Sequence, residues 1–168
     1  MGKKINTLFI AQGGIIAAVY IVLTVVAAGF DLASDAIQVR FSEALTVLPY
    51  FTPAAIPGLI IGCFLSNIIT GCALPDIIFG TLATVIGAFG TYALRKYRYL
   101  CPMPPVIANA LIIPFVLRYA YGIPGSIPFF MLTVGAGEII ACYVFGLILL
   151  HALLPVRDRL FTTGEAQA

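Results

Sequence analysis

Glu138 stands within an otherwise apolar run, TVGAGEII, in the last third of the sequence. If this run belongs to a helix that starts near Ile127, a rise of 1.5 Å per residue places Glu138 about 16 Å along it, near the middle of a bilayer. An ionised carboxylate at that depth costs several kcal/mol unless it is paired or hydrated, so it usually marks a ligand or proton site. The alternative is a protonated carboxyl that hydrogen-bonds a neighbouring helix. Glu138 is the strongest candidate functional residue in the sequence.

A charged pair lies at the start of a proline-rich apolar stretch, QVRFSEALTVLPYFTPAAIPG. Arg40 and Glu43 are three residues apart, so on a helix their side chains share a face and can form an ion pair. One interpretation is a pair that only fixes the helix end at the membrane surface. The other is a pair exposed to a water-filled pocket, which predicts a role in binding a polar ligand.

Polar residues near the ends of other apolar runs could complete such a pocket. Asparagine can instead serve only to hydrogen-bond a neighbouring helix, and tyrosine can anchor a helix at the membrane interface. The candidates are Asn67, Asp76, Arg118 and Tyr119.

No arrangement of residues in the sequence indicates catalysis. No histidine lies near a plausible nucleophile, and zinc-protease and phosphate-loop motifs are absent. The four cysteines are scattered, without a C-x-x-C pair, and are interpreted as packing residues. We therefore expect no enzymatic activity, no metal and no cofactor.

The elements that position these residues must be membrane helices. Hydrophobic residues make up 61% of the 168 residues and charged residues 10%, whereas a soluble domain has about 25% charged residues. Apolar runs of membrane-spanning length recur between residues 7 and 154. We predict a single all-α domain over 1–168, a multi-pass protein of the cell membrane that does not bind nucleic acid.

The number of helices follows from the distribution of positive charge. Hydropathy alone gives five apolar blocks, and basic clusters lie at 3–4, 95–98 and 157–159. Cytoplasmic loops are enriched in Lys and Arg, so all three clusters are cytoplasmic only if an even number of helices separates each from the next. The apolar block at 44–70 must therefore contain a break.

The motif YFTPAAIPG offers this break, because Thr52 suits a helix N-cap and Pro53 suits the first helical position. The helix before it is then about 21 Å long, shorter than the bilayer core of about 30 Å. Its outer end, with Arg40 and Glu43, is expected to lie below the membrane surface or in a cavity. We predict six transmembrane helices with both termini cytoplasmic, at about 7–29, 38–51, 53–70, 76–94, 104–121 and 127–154.

The first predicted helix carries small residues at helical spacing. Gly14 and Ala18, with Gly13 and Ala17 beside them, form a small-xxx-small pattern that lets another helix approach closely. The pattern can serve packing within the bundle or docking of a partner. Because the sequence has a candidate pocket and no ATP-binding motif, we expect a partner that supplies energy.

The sequence resembles the substrate-binding (S) components of energy-coupling factor (ECF) transporters, and most closely the QueT family for queuosine precursors. The resemblance covers essentially the whole chain and is most specific in QVRFSEALTVLPYFTPAAIPGLIIGCFLSNI. It implies a six-helix protein that binds a micronutrient near the outer face. It also implies docking through Gly14 and Ala18 onto a transmembrane coupling subunit (EcfT) driven by two cytoplasmic ATPases. The family usually has alanines in the docking motif, where this sequence has Gly14.

The ligand that the resemblance implies is a 7-deazaguanine, such as a pre-queuosine base or queuine. Its guanine-like edge offers two adjacent donors, which the carboxylate of Glu138 could accept together. Asn67 or Arg40 could donate to the carbonyl of the base, and Glu43 or Asp76 could receive an aminomethyl cation.

Two functions from other classes also fit the sequence. A proton-coupled exporter would use Glu138 as a shared proton and substrate site, and its transport would follow the proton gradient without partner ATPases. A membrane assembly subunit or sensor would show no tight binding of small molecules by the isolated protein.

Overall fold

The computed structural model describes residues 7–29 and 40–161, which form six helices and no β-strand. This confirms the predicted all-α fold. The helices are α1 (Thr7–Gly29), α2 (Phe41–Tyr50), α3 (Ala55–Ile69), α4 (Leu74–Ala93), α5 (Met103–Tyr119) and α6 (Ile127–Leu160).

Three of these helices, α1, α4 and α6, are long and apolar enough to cross a membrane. The apolar helices α3 and α5 have 15 and 17 residues, so at 1.5 Å per residue they are about 22 to 26 Å long and fall short of a full bilayer core. Large apolar side chains are exposed on all five of these helices, as expected where a helix faces lipid. The chain is a multi-pass protein of the cell membrane.

The predicted break between the second and third helices lies at residues 51–54. The third helix begins at Ala55 rather than at Pro53, because Thr52 stabilises a turn before the helix. The carbonyl of Thr52 accepts from the amide of Ala55 at 3.2 Å, and its hydroxyl accepts from the amide of Ala54 at 3.3 Å. The predicted start of the second helix at residue 38 lies outside the described residues.

The last helix extends to Leu160, beyond its predicted end at residue 154. Pro155 has no amide hydrogen to continue α-helical bonding, and a 3₁₀ turn at Leu154–Val156 carries the chain past it into a final turn, Arg157–Leu160. The same helix contains a π-helical segment, Ile139–Phe145, which begins directly after Glu138.

The short second helix is the centre of the bundle. All 10 of its residues are in 3₁₀ conformation, whereas runs longer than three or four residues of that kind are uncommon. The helix packs against α1, α3, α4 and α6, and seven of its residues, from Ser42 to Pro49 with Ala44 excepted, are buried. The helix therefore holds the side chain of Glu43 inside the bundle.

Small residues let α1 and α3 approach closely. A Cβ atom on Gly58 would lie 2.7 Å from the carbonyl oxygen of Gly13, and one on Gly62 would lie 2.8 Å from the Cβ of Tyr20. Of the four small residues in the pattern, Gly13 and Ala17 are buried and pack within the bundle. Gly14 and Ala18, the predicted docking residues, lie on the exposed side of α1.

The start of α1, the loop at 94–102 and the end of α6 lie at one end of the bundle, which we call the basic end. The side-chain amide of Gln12 donates to the carbonyl of Leu160 at 3.0 Å, and the rings of Tyr99 and His151 are 6.4 Å apart. Arg95, Lys96, Arg98, Arg157 and Arg159 lie in these segments. That this end faces the cytoplasm stays a prediction of the positive-inside rule.

Candidate functional site

Buried polar side chains from α1, α2, α3, α4 and α6 meet away from the basic end. Arg40 directly precedes α2, whereas the other end of α2 leads to Phe51, whose ring stacks on Phe161 beside the basic end. Glu43, Asn67, Asp76 and Glu138 are each 5% exposed or less. We call the following seven residues the polar cluster: Tyr20, Arg40, Glu43, Asn67, Asp76, Glu138 and Cys142.

Glu43 is held from α1 and from α6. The hydroxyl of Tyr20 donates to Oε1 of Glu43 at 2.6 Å. The carbonyl oxygen of Glu43 accepts from the hydroxyl of Thr46 at 2.6 Å and from the thiol of Cys142 at 3.6 Å. Its second carboxylate oxygen, Oε2, has no hydrogen-bond partner among the described residues.

Glu138 lies beside Glu43. The thiol of Cys142 donates to Oε2 of Glu138 at 3.4 Å. One ligand atom from each of Glu43, Glu138 and Cys142 lies within 4.8 Å of the other two. Carboxylate and thiolate ligands suit a divalent ion such as Zn²⁺, and two carboxylates this close equally suit a proton or an organic cation.

Arg40 pairs with Asp76 rather than with Glu43, so the predicted local ion pair is wrong. Nη2 of Arg40 lies 3.7 Å from Oδ2 of Asp76. The backbone of Arg40 is extended, with φ −90° and ψ 103°, so Arg40 precedes the helix and does not share a helical face with Glu43. Its side chain is only 17% exposed, which does not fit an anchor at the membrane surface.

Asp76 is also tied to the loop that follows α5. The hydroxyl of Tyr121 donates to Oδ2 of Asp76 at 2.9 Å and accepts from the amide of Ala73 at 3.1 Å. Burial raises the pKa of Tyr121, so its hydroxyl keeps the proton that it donates. This contact fixes the loop against the start of α4.

Asn67 reaches the polar cluster because α3 and α4 meet at a glycine. A Cβ atom on Gly80 would lie 3.2 Å from Oδ1 of Asp76 and 3.3 Å from Nδ2 of Asn67. The same amide nitrogen of Asn67 lies 3.7 Å from the sulfur of Cys63. Gly80 therefore leaves space for both polar side chains.

Arg118 and Tyr119 lie apart from the polar cluster. Arg118 is exposed and donates to the carbonyl of Ile123 at 3.3 Å, while Tyr119 is 75% exposed and stacks on Phe115. The inward face of α5 is formed by residues such as Ile113 and by 116–117, so the helical phase turns 118 and 119 outward.

Two members of the polar cluster were not identified from the sequence. Tyr20 lies in an apolar helix with nothing in its surroundings to mark it, and Cys142 was expected only to pack. For Cys142 a signal did exist, since it follows Glu138 by four residues and so shares its side of the helix.

Three buried polar atoms near α2 and α4 have no hydrogen-bond partner among the described residues. They are Oγ of Ser42, Oε2 of Glu43 and Oδ1 of Asp76. Buried polar atoms are nearly always hydrogen-bonded, so each such exception calls for a ligand, a water or an ion. Two of the three atoms, on Glu43 and Asp76, belong to the polar cluster, and Ser42 directly precedes Glu43 on α2, so the polar cluster is the candidate binding site.

Comparison with known proteins gives the family of the chain. A family model described as QueT transporter matches residues 10–155. The chain is also 33% identical over 84 residues to the queuosine precursor transporter QueT of Lactococcus lactis subsp. cremoris (strain MG1363), a match that covers 50% of this chain and 49% of that protein. The matched region thus spans about half the length of this relative, and no solved structure matches the chain. Because the family match covers residues 10–155, well over half of the 168 residues, the chain belongs to the QueT transporter family.

Proposed function

We propose that this protein is the substrate-binding component of an ECF-type importer and captures a queuosine precursor from outside the cell. Membership of the QueT transporter family and the name of the Lactococcus lactis relative support transport of such a precursor. The observation that carries the binding role is the set of three buried polar atoms without a hydrogen-bond partner among the described residues, on Ser42, Glu43 and Asp76. A polar ligand would supply the missing hydrogen bonds.

The chemistry of the polar cluster suits a 7-deazaguanine. The ring N–H and exocyclic amine of such a base need a carboxylate acceptor, and its carbonyl needs a donor such as Arg40 or Asn67. A carboxylate that accepts two parallel hydrogen bonds gives both strength and orientation. The cluster holds the carboxyl groups of Glu43, Asp76 and Glu138, so one can bind the base while another binds a positively charged substituent.

The exposed side of α1 suits docking of the coupling subunit. Gly14 has no atom within 4 Å of the position where its Cβ would lie, and Ala18 is exposed. Small residues on an exposed face let a second helix approach closely in a membrane. We propose that EcfT docks here and that two cytoplasmic ATPases drive uptake, with the basic end facing the cytoplasm.

Ligand binding tests the first half of this proposal. The purified protein in detergent would be titrated by calorimetry with queuine, pre-queuosine bases, queuosine and guanine. We expect tight binding of at least one 7-deazaguanine and much weaker binding of guanine. Well-folded protein that binds none of these ligands would refute the binding role.

Docking needs a separate test in cells that depend on uptake of the precursor. Gly14→Leu and Ala18→Leu should abolish uptake while the purified variants still bind ligand, because both residues lie on the exposed side of α1, whereas Tyr20 is on its buried side. Ala93→Leu, an exposed small residue on α4, serves as the matched control and should leave uptake unchanged. If Gly14→Leu and Ala18→Leu transport normally, another surface docks the partner.

The closeness of Glu43 and Glu138 also favours a second candidate function, a proton-coupled exporter. Two carboxyl groups within 4.8 Å can exchange one proton for a cationic substrate. Transport assays in reconstituted liposomes distinguish the two functions. An imposed pH gradient drives substrate transport by an exporter without added partner proteins, whereas an S-component alone does not transport substrate.

A further inference from the structure

The polar cluster contains more negative than positive groups. Among the described residues it has three carboxyl groups, on Glu43, Asp76 and Glu138, and a single guanidinium, on Arg40. That guanidinium pairs with Asp76. Glu43 and Glu138 therefore lie next to each other without a cation in direct contact.

The groups that touch these two carboxyls are neutral donors. Glu43 accepts from the hydroxyl of Tyr20, and Glu138 accepts from the thiol of Cys142. None of these contacts carries a positive charge, and Arg40, whose charge acts on both carboxyls from a distance, is already paired with Asp76. In a site that excludes water, an uncompensated pair of carboxylates is unfavourable by several kcal/mol per charge.

We infer that Glu43 and Glu138 together form a subsite for the protonated amine of the substrate. An ammonium group between the two carboxyls supplies the missing positive charge and a donor for the unpartnered Oε2 of Glu43. The protein therefore selects 7-deazaguanines that carry an alkylammonium substituent over analogues with a neutral one. This inference rests on the proposed function.

When the subsite is empty, the two carboxyls share one proton, because like charges this close do not both ionise. Binding of an ammonium group displaces that proton. Other titratable or charged groups face the pair from the helices packed around it and define the local charge. They are Tyr20 on α1, Arg40 before α2, Cys63 on α3, Asp76 on α4 through its contact with Arg40, and Cys142 on α6.

This arrangement changes the role first expected for Glu138. The guanine-like edge and the 7-substituent lie at opposite ends of the ring system, whereas Glu43 and Glu138 lie side by side. Glu43 and Glu138 therefore bind the same end of the ligand, the one that carries the 7-substituent. The unpartnered Oδ1 of Asp76, beside the amide of Asn67, is left to accept from the guanine-like edge.

Two ligands that differ at the 7-substituent test the inference. Wild-type protein would be titrated by calorimetry with 7-aminomethyl-7-deazaguanine, which is cationic, and with 7-cyano-7-deazaguanine, which is neutral. We expect the aminomethyl ligand to bind more than about tenfold more tightly, as a charge-assisted contact implies. Equal affinities, or a preference for the cyano ligand, would overturn the inference while leaving the proposed function in place.

Variants then assign the contact to the two carboxyls. Glu138→Gln should weaken binding of the aminomethyl ligand by about tenfold or more and leave the cyano ligand nearly unchanged. Glu43→Gln should do the same and carries the test if Glu138→Gln does not fold. Asp158→Asn, an exposed acid near the basic end, is the matched control. An equal loss for both ligands would assign Glu138 to the guanine-like edge and contradict the inference.

Proton release gives an independent readout. Titrations in buffers of different ionisation enthalpy should show release of about one proton with the aminomethyl ligand and none with the cyano ligand, and Glu138→Gln should abolish the release. A titration with ZnCl₂ alone, and one of the aminomethyl ligand with and without ZnCl₂, test a metal ion as the occupant. The inference is overturned if Zn²⁺ binds stoichiometrically and the aminomethyl ligand binds only when Zn²⁺ is present. Failure of well-folded wild-type protein to bind these two ligands, queuine and queuosine would instead refute the proposed function.

Discussion

Buried threonines at the basic end have hydrogen-bond partners within the protein. The hydroxyl of Thr91 donates to the carbonyl of Cys101 at 2.9 Å, and the hydroxyl of Thr52 donates to Oε1 of Gln12 at 3.1 Å. Both threonines are at most 1% exposed. The first contact joins the loop at 94–102 to α4. The second joins the break at residues 51–54 to α1.

The polar cluster and the adjacent Ser42 differ, although they are just as deeply buried. Ser42 is fully buried, Glu43 is 2% exposed and Asp76 is 3% exposed, yet each keeps one atom without a partner in the part of the chain that the structure describes. An unsatisfied buried polar group costs about 1 to 3 kcal/mol. The comparison teaches that the buried hydroxyls of Thr52 and Thr91 are satisfied within the protein, whereas the polar cluster leaves polar atoms free for the ligand that we propose.

The close contact between α1 and α3 connects the two regions, and breaking it should have the largest effect. In Gly62→Ala the new Cβ would lie 2.8 Å from the Cβ of Tyr20, which displaces the residue that donates to Glu43. Overpacking of this kind lowers the free energy of unfolding by about 1 to 3 kcal/mol. Thermal unfolding in detergent and ligand titration should show lower stability together with weaker binding. Unchanged binding would mean that the position of Tyr20 does not matter to the site.

Ser42→Ala, next to the polar cluster, should raise the stability of the ligand-free protein. A comparable substitution at the basic end should lower it. Ser42→Ala removes a buried hydroxyl that has no partner, so the ligand-free protein should be more stable by about 1 kcal/mol. Thermal unfolding without ligand measures the effect. A lower melting temperature would show that the hydroxyl is already satisfied in the free protein, and the comparison would fail at this residue.

Thr91→Val should have the opposite sign. Valine has nearly the same shape but cannot donate to the carbonyl of Cys101, so we expect a loss of stability of about 1 kcal/mol. Affinity for the ligand should not change, because Thr91 lies at the basic end. Melting curves with and without ligand check both statements, and a change in affinity would contradict the separation of the two regions.

The smallest expected effect is a difference in labelling rate between two cysteines. It tests how tightly the basic end is packed. Burial raises the pKa of Cys101 to about 11, and the residue is 0% exposed. At pH 8 its thiol therefore stays protonated and inaccessible, so a maleimide should label the half-buried Cys72 first, as peptide mass spectrometry would show. Rapid labelling of Cys101 would show that the loop at 94–102 opens. Denatured protein, in which Cys101 reacts, is the control.

The helices could be predicted from the sequence because their causes are local. Apolar runs of sufficient length require helices in a membrane, and the distribution of basic residues required a break in the block at 44–70. The structure has that break at residues 51–54. The 3₁₀ conformation of α2 and the π-helical segment after Glu138 could not be predicted, because packing against neighbouring helices selects them from near-equal backbone alternatives.

The candidate site was predicted in part. Arg40, Glu43, Asn67, Asp76 and Glu138 attracted attention because polar residues are costly in an apolar chain, and the structure brings all five together. The pairing of Arg40 with Glu43 was wrong because spacing along the sequence predicts neighbours only within a continuous helix, and Arg40 lies outside it.

The sequence by itself determined the membrane location, the number of helices, the family and five of the seven residues of the polar cluster, since each depends on composition or on local patterns. Only the tertiary structure decided which of those residues meet. It joined Arg40 to Asp76 and Glu43 to Tyr20, placed Glu138 beside Glu43, and turned Arg118 and Tyr119 away. The physical reason is that such contacts depend on the rotation and depth of one helix relative to another. Those are fixed by close packing at glycines such as Gly62 and Gly80, between segments that are distant along the chain.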